Sequence, residues 1–296
     1  MCVIIDFHVH IELREFLPEG VMKAYLDGLN LLKSMVDWGI EEEYVWPHYK
    51  VGAEEILATM DAGGVDKCVA LPLDFGLTGE VRRGVVEYNE WVFEECATTD
   101  RIIPFMGVDP GRRNAVEILE DLMRKHDPKG VKVYPATGWY PYWERLERFW
   151  EVCDDHGLVV LTHAGAAWGP LSDHYCHPIY FQEAAERYGD ITFVIAHLGG
   201  KWRTETYDLI ERLDNVYADC SALQGWLPAS PETAVARLKE MAERIPDRAL
   251  FGSDFPLYEW NYSTQQWVSF VLENDWAPEA VREKVLSGNA KRILGI

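Results

Sequence analysis

The feature that most constrains this chain is a rhythm of short apolar runs separated by longer amphipathic stretches. The runs fall at residues 3–10, 67–73, 102–108, 130–134, 158–162, 191–196, 216–219 and 248–252. Helical periodicity fills the gaps at 53–62, 80–97, 114–125, 142–156, 179–188, 204–213 and 232–244. Strands that are apolar almost throughout are buried on both faces, which is the pattern of a parallel sheet covered by helices. Eight such units in 296 residues favour a closed (β/α)8 barrel, the TIM-barrel form of the α/β class, over an open doubly wound sheet. An open dinucleotide-binding sheet would carry a glycine-rich turn after its first strand, and here that place holds His8-Val9-His10-Ile11-Glu12. No linker or low-complexity tract divides the chain. We therefore expect one domain over 1–296, with residues 11–51 inserted after strand one and 278–296 forming a closing helix.

Charge narrows the partners. Against 28 basic residues stand 49 acidic ones, a net charge of -21, which opposes binding to nucleic acid or to an anionic membrane. A small-molecule substrate is the expected partner. The six cysteines are scattered without the close spacing of a thiolate zinc site or a redox pair. Asp6 interrupts the first apolar run, so no secretory leader is expected, and no apolar stretch is long enough to span a bilayer. These features predict a reduced, cytoplasmic protein.

In a barrel the chemistry sits at the C-terminal ends of the strands. Strand one ends in His8 and His10, which as residues i and i+2 of a strand share one face. Strand five ends at His163, strand six at His197 and strand eight at Asp254. One histidine at a strand end is most often an ordinary hydrogen-bonded residue, but four such endings on one rim form a ligand set. Neutral imidazoles with a carboxylate suit zinc, and also manganese or iron.

The His-x-His end of strand one, His163 before Ala-Gly, His197 before Leu-Gly-Gly, Gly-Ser-Asp-Phe-Pro around Asp254 and the closing Gly-Asn-Ala-x-Arg-Ile-Leu together resemble the amidohydrolase superfamily. The branch it resembles is the amidohydrolase-related one, which includes aminocarboxymuconate semialdehyde decarboxylase and resorcylate-type decarboxylases, and the resemblance runs from His8 to Leu294. It implies a (β/α)8 barrel with one divalent metal ion, usually Zn2+, with Mn2+ or Fe2+ as alternatives. The residues matching His8, His10, His163 and Asp254 would hold it, and His197 would stand beside the reacting water. Two departures from the pattern are Glu12, an extra ligand or a loop carboxylate, and Lys132 near the end of strand four. Some superfamily members use a carboxylated lysine there to bridge two metals.

The expected reaction is hydrolysis, with Asp254 accepting a proton from water and returning it to the leaving group while His197 stabilises the developing charge. A non-oxidative decarboxylase using the same residues is the alternative, and a catalytically silent small-molecule-binding barrel is a third reading. Trp139 and Trp168 are candidates for lining the pocket of a cyclic or aromatic substrate, with Arg14, Lys201 and Arg203 as partners for its carboxylate. His174, Cys176 and His177 form a weaker second metal candidate, while His48, His126 and His156 receive no chemistry. The aromatic-rich insertion is a candidate contact in a homo-oligomer.

Overall fold

The computed structural model describes residues 3–36, 50–259 and 262–296. His48, Trp260 and the aromatic segment 44–49 lie outside them. The strands, in chain order, are β1 (Ile5–His10), β2 (Glu12–Leu13), β3 (Lys50–Val51), β4 (Lys67–Leu71), β5 (Ile102–Pro104), β6 (Met106–Gly107), β7 (Gly130–Val133), β8 (Val159–Thr162), β9 (Thr192–Ile195), β10 (Val216–Asp219) and β11 (Ala249–Leu250). One parallel ladder runs β1-β4-β5 and another β6-β7-β8-β9-β10-β11.

These ladders are two arcs of one circle. β5 and β6 are halves of a single strand interrupted at Phe105, whose N–H still reaches Ala70 O at 2.9 Å. Pro104 has no N–H to donate, which is a local reason for the break. At the other seam β1 lies along the segment after β11: Phe7 N–H donates to Phe251 O (2.8 Å), Asp254 N–H to His8 O (2.8 Å) and His10 N–H to Phe255 O (2.7 Å). The result is the expected TIM barrel, closed through backbone hydrogen bonds.

Inside the barrel Ile5, Phe7, Val69, Leu71, Phe105, Val159, Leu161, Val194 and Leu250 form one apolar cluster, sealed at its base by Ala290 and Leu294 of the C-terminal helix Asn289–Leu294. Phe7 and Phe105 meet edge to face with ring centres 6.0 Å apart. Alternate residues such as Val131, Val133, Val160 and Phe193 point outward into the larger layer beneath the helices. Each such side chain, fully buried, contributes about 1.5–3 kcal/mol. The helix Ala115–His126 shows the matching stripe, burying Ala115, Ile118, Leu119 and Leu122. Asn289 ties the tail to the last strand, its Nδ2 donating to Ala249 O (2.8 Å) and Pro246 O (3.0 Å).

Several helices are shorter than periodicity predicts. The second predicted helix begins only at Val85, behind Gly84, because residues 80–84 serve the insertion instead: Arg82 and Arg83 N–H groups both donate to Glu15 O at 3.0 Å. The helix Thr264–Glu273, with Trp267 fully buried, was not anticipated. The segment after β1 leaves and returns through the antiparallel β2-β3 ladder, Glu12 opposite Val51, and carries the helix Glu19–Val36. That helix roofs the barrel: Val21, Met22 and Tyr25 pack with Leu73, Phe75, Tyr134 and Leu171 from the loops after β4, β7 and β8. Among the described residues no helix is long and apolar enough to cross a membrane.

Candidate metal centre

A register shift in β1 builds the first half of the site. Its pairing with β4 runs Ile5 to Lys67 and Asp6 to Cys68, then Val9 to Ala70 and His10 to Leu71. The extra residue between Asp6 and Val9 reverses the strand's parity, as a bulge does. Ile5 and Phe7 therefore join the apolar interior, while His8 and His10, of opposite parity, also turn inward above it. Asp6, buried beside the bulge, accepts His8 N–H (3.1 Å) and Ser253 N–H (3.0 Å), pinning β1 to the strand that delivers Asp254. Burial pushes the Asp6 carboxyl up to about 7.

Both histidines have one nitrogen committed. His8 Nδ1 lies 2.8 Å from Asp219 Oδ2, and His10 Nδ1 lies 3.1 Å from Leu71 O. Each partner can only accept, so each Nδ1 carries the proton and each Nε2 presents a lone pair. Those lone pairs converge on a single carboxylate oxygen, Asp254 Oδ1, at 3.4 Å from His8 and 3.1 Å from His10. Three acceptors aimed at one point repel one another unless a proton or a cation lies between them, and the convergence of three groups on one point favours the cation. His8, His10 and Asp254 offer ligand atoms all within 4.8 Å of one another, and two imidazoles with a carboxylate are a borderline-hard donor set that fits a divalent ion.

Burial sets the charge states. It pushes His8 and His197 well below the usual imidazole range and His163 down to about 3, helped by the Lys132 ammonium, so all three are neutral near pH 7. The same burial raises Asp254, and it raises Glu12 to about 8, reinforced by Asp254. Lys132, also buried, is lowered to about 8 despite Asp219 and Asp254, with its Nζ 3.4 Å from His8 Nε2. Each shift disfavours the charged form in a dry site, and a bound cation would reverse that penalty for the carboxylates.

His163 stands apart from the tight three-residue group. Its Nδ1 faces His197 Nε2 at 3.3 Å, its Nε2 lies 3.2 Å from Ala166 O, and its ring stacks on Tyr134 with centroids 4.3 Å apart. His197 is held by its N–H on Asp219 Oδ1 (3.0 Å) and by Nδ1 against Ser221 Oγ (2.7 Å). It begins a run of four left-handed residues, with φ of 57° at His197, 50° at Leu198, 76° at Gly199 and 57° at Gly200. This explains the Leu-Gly-Gly that follows: a side chain on Gly199 would also collide with the Thr206 hydroxyl. Asp254 too is left-handed, φ 59°. Four non-glycine residues held in this sparsely populated region, His197, Leu198, Ala222 (φ 67°) and Asp254, thus line one cavity.

A cavity of about 510 Å3 opens onto this centre, lined by His10, Glu12, Tyr25, Tyr134, His163, Trp168, His197, Lys201, Arg203 and Asp254. Lys201 is paired with Asp173 at 2.7 Å, whereas Arg203 and Arg237 share one carboxylate, Glu240, at 2.7 and 3.6 Å. Two expected substrate-binding residues, Trp139 for the wall and Arg14 for the carboxylate, are elsewhere. Trp139 is a core residue, 1% exposed, packed against Trp150 and Phe181, because the 3-10 turn Pro135–Thr137 carries the chain down onto the helix layer. Arg14 borders a neighbouring recess with Glu19, Gly20 and Met22, since the chain turns outward after β2. His174 and His177 do not converge: His174 Nε2 meets the Tyr140 hydroxyl at 2.7 Å and His177 Nδ1 accepts Ile179 N–H at 3.2 Å.

Asp219, Ser221, Asp6 and Arg237 were missed in sequence. Asp219 had a signal, being the polar end of the seventh strand. Its Oδ1 takes the N–H groups of His197 and Ser221 and the Ser221 hydroxyl, while Oδ2 takes His8. Arg237 had none, since it lies within the helix Pro231–Arg244 like any surface arginine.

Comparison with known proteins agrees with this geometry. The sequence model of the amidohydrolase family matches residues 5–296. A TIM-barrel protein from Bordetella bronchiseptica superposes with a TM-score of 0.73 at 21% identity, covering 99% of this chain and 98% of its own. The 5-carboxyvanillate decarboxylase LigW from Sphingomonas paucimobilis gives 0.68 at 16% identity, with full coverage of both chains (100% and 100%). An amidohydrolase from Burkholderia multivorans with bound zinc also gives 0.68 at 16% identity, covering 99% of each. At these identities the likeness speaks for the fold. No curated protein matches the chain in sequence.

Proposed function

The chain belongs to the amidohydrolase family, and on that premise we propose that it is a metal-dependent hydrolase acting on a small, ring-containing, carboxylated molecule. The observation that carries this reading is the convergence of His8 Nε2 and His10 Nε2 on Asp254 Oδ1 at the floor of the cavity. These three residues would hold one divalent ion, zinc being the best match, with the nearby His163 as a further candidate ligand. A cation there supplies a water whose pKa is lowered from about 15.7 toward about 7, and a Lewis acid for a carbonyl oxygen. Asp254 takes the proton of the attacking water and returns it to the leaving group. His197, neutral and anchored by Ser221 and Asp219, lines the cavity and would act on the reacting oxygen through Nε2, the nitrogen that lies 3.3 Å from His163 Nδ1. The Lys132 ammonium adds positive charge beside His8.

The walls support the substrate class. Tyr25, Phe75, Tyr134, Trp168 and Tyr258 offer ring faces, and the Arg203–Arg237 pair retains one positive charge beyond Glu240 with which to meet a carboxylate.

The test is turnover of a panel of lactones, esters, amides and aryl carboxylic acids by the zinc-loaded enzyme, with products identified. Hydrolysed product that disappears on metal stripping and in Asp254→Asn supports the reading. Full turnover by either preparation overturns it. Carbon dioxide release without hydrolysis would instead assign a lyase, in which Asp254 protonates the carbon that loses the carboxyl group.

A further inference from the structure

The Glu12 side chain is unaccounted for by the metal centre. It is 3% exposed, yet it lines the cavity wall. Among the described residues its carboxyl is given no hydrogen-bond donor, in contrast to Asp6, Asp74 and Asp219, each of which receives two or more donors. With no partner from the protein, the carboxyl can be satisfied only from the cavity it faces, and an occupant that displaced water there without replacing its hydrogen bonds would leave it unpaired at a cost. Its position is also held firmly: the Glu12 backbone pairs with Val51 across the ladder that closes the insertion, and the preceding carbonyl, Ile11 O, accepts the Tyr88 hydroxyl at 2.6 Å. Asp254 is the neighbouring acid, so two carboxyl groups look into one space whose remaining walls include aromatic rings and aliphatic side chains.

We propose that Glu12 is a specificity residue that accepts a hydrogen bond from an O–H or N–H group on the substrate, so that this enzyme selects hydroxylated or amino-bearing rings over plain ones. This rests on the ring-and-carboxylate part of the proposed function and deepens it. A donor on the substrate gives Glu12 the partner the protein does not provide. An apolar substituent of equal size leaves the carboxyl buried and unpaired, and that difference is the basis of selection. Arg203 and Arg237 bind the carboxylate whatever the ring carries, so they contribute affinity without this discrimination.

Calorimetric binding of six probes to the zinc-loaded protein tests the inference: the three hydroxybenzoates and the three methylbenzoates, which match them in shape. For at least one ring position the wild type is expected to prefer hydroxyl over methyl by about tenfold or more. In Glu12→Leu that preference should fall to about threefold or less while the methyl compound binds as tightly as before, or more tightly. Glu12→Gln, which keeps an acceptor oxygen, should retain part of the preference and guards against misfolding of the leucine variant. Equal binding of hydroxyl and methyl probes by the wild type at every position, or a preference that survives in Glu12→Leu, overturns the assignment. So does failure of all six probes to bind. Metal-dependent turnover in the panel above is read independently, so loss of the Glu12 assignment leaves the hydrolase reading standing, and the converse holds.

Discussion

The Asp219 carboxylate and the His8 imidazole meet at 2.8 Å, Oδ2 to Nδ1, with both side chains wholly shielded from solvent and 211 residues apart in sequence. This contact decides which His8 nitrogen is free. With Nδ1–H donated to Asp219, Nε2 faces Asp254 and the cavity, so Asp219 acts on the metal centre through the histidine it orients.

Asp219→Ala is accordingly expected to weaken metal binding by about 10–100-fold, measured by chelator competition, with the helical circular dichroism unchanged. Retention of wild-type affinity would show that packing alone orients His8.

His197 is expected to serve the reaction and leave the metal in place. His197→Asn should lower kcat by about 10^2–10^4-fold with metal content unchanged. Ser221→Ala, which removes the partner of His197 Nδ1, should give a smaller loss in the same direction. Depletion of metal in His197→Asn would place His197 among the ligands; in Ser221→Ala it could equally arise through His8, whose Nδ1 lies 3.2 Å from the Ser221 hydroxyl.

The buried acids and histidines give the metal-free protein opposing pH slopes. Asp109 is raised to about 7 by burial and by the neighbouring Asp74. The folded state thus holds a proton that the unfolded state releases above about 4, and stability from this group falls as pH rises from about 4 to about 7, then levels. His163, lowered to about 3 by burial, has the reverse sign: its contribution is complete above about 6.5 and is lost as pH falls toward 3. Urea midpoints of the metal-free protein should show Asp109→Asn removing part of the decline between pH 5 and 7, through the groups' own shifts. An unaltered slope would mean that Asp109 ionises normally in the fold.

Phe105 sits inside the barrel, fully buried at the break between β5 and β6 and edge-on to Phe7. Phe105→Ala should cost about 3–5 kcal/mol of unfolding free energy, read from urea denaturation. A cost below about 1 kcal/mol would mean that neighbouring side chains collapse into the space.

Much of this was legible in the chain itself. Apolar strands alternating with amphipathic helices are a local pattern, and the eight predicted runs coincide with the eight barrel segments to within a few residues. The polar residues that end them are equally local: strands must stop somewhere, and His8, His10, His163, His197 and Asp254 stand where parallel strands open onto one rim. Ring residues were less legible. Trp139 and Trp168 look alike in sequence, but the first packs on Trp150 and the second meets Tyr25 across the cavity, with centroids 5.2 Å apart.

The sequence alone therefore determined the architecture and the kinds of donor available, because periodicity and strand ends depend on near neighbours in the chain. Tertiary structure alone decided how those donors are aimed. The parity change in β1 comes from its register on β4, the free nitrogen of His8 from Asp219 across the barrel, and the two arginines facing the cavity from two separate helices, Arg203–Arg212 and Pro231–Arg244, that meet through Glu240. These relationships join residues far apart in sequence. They arise only when the barrel closes, because closure fixes which backbone groups pair and hence where each side chain points.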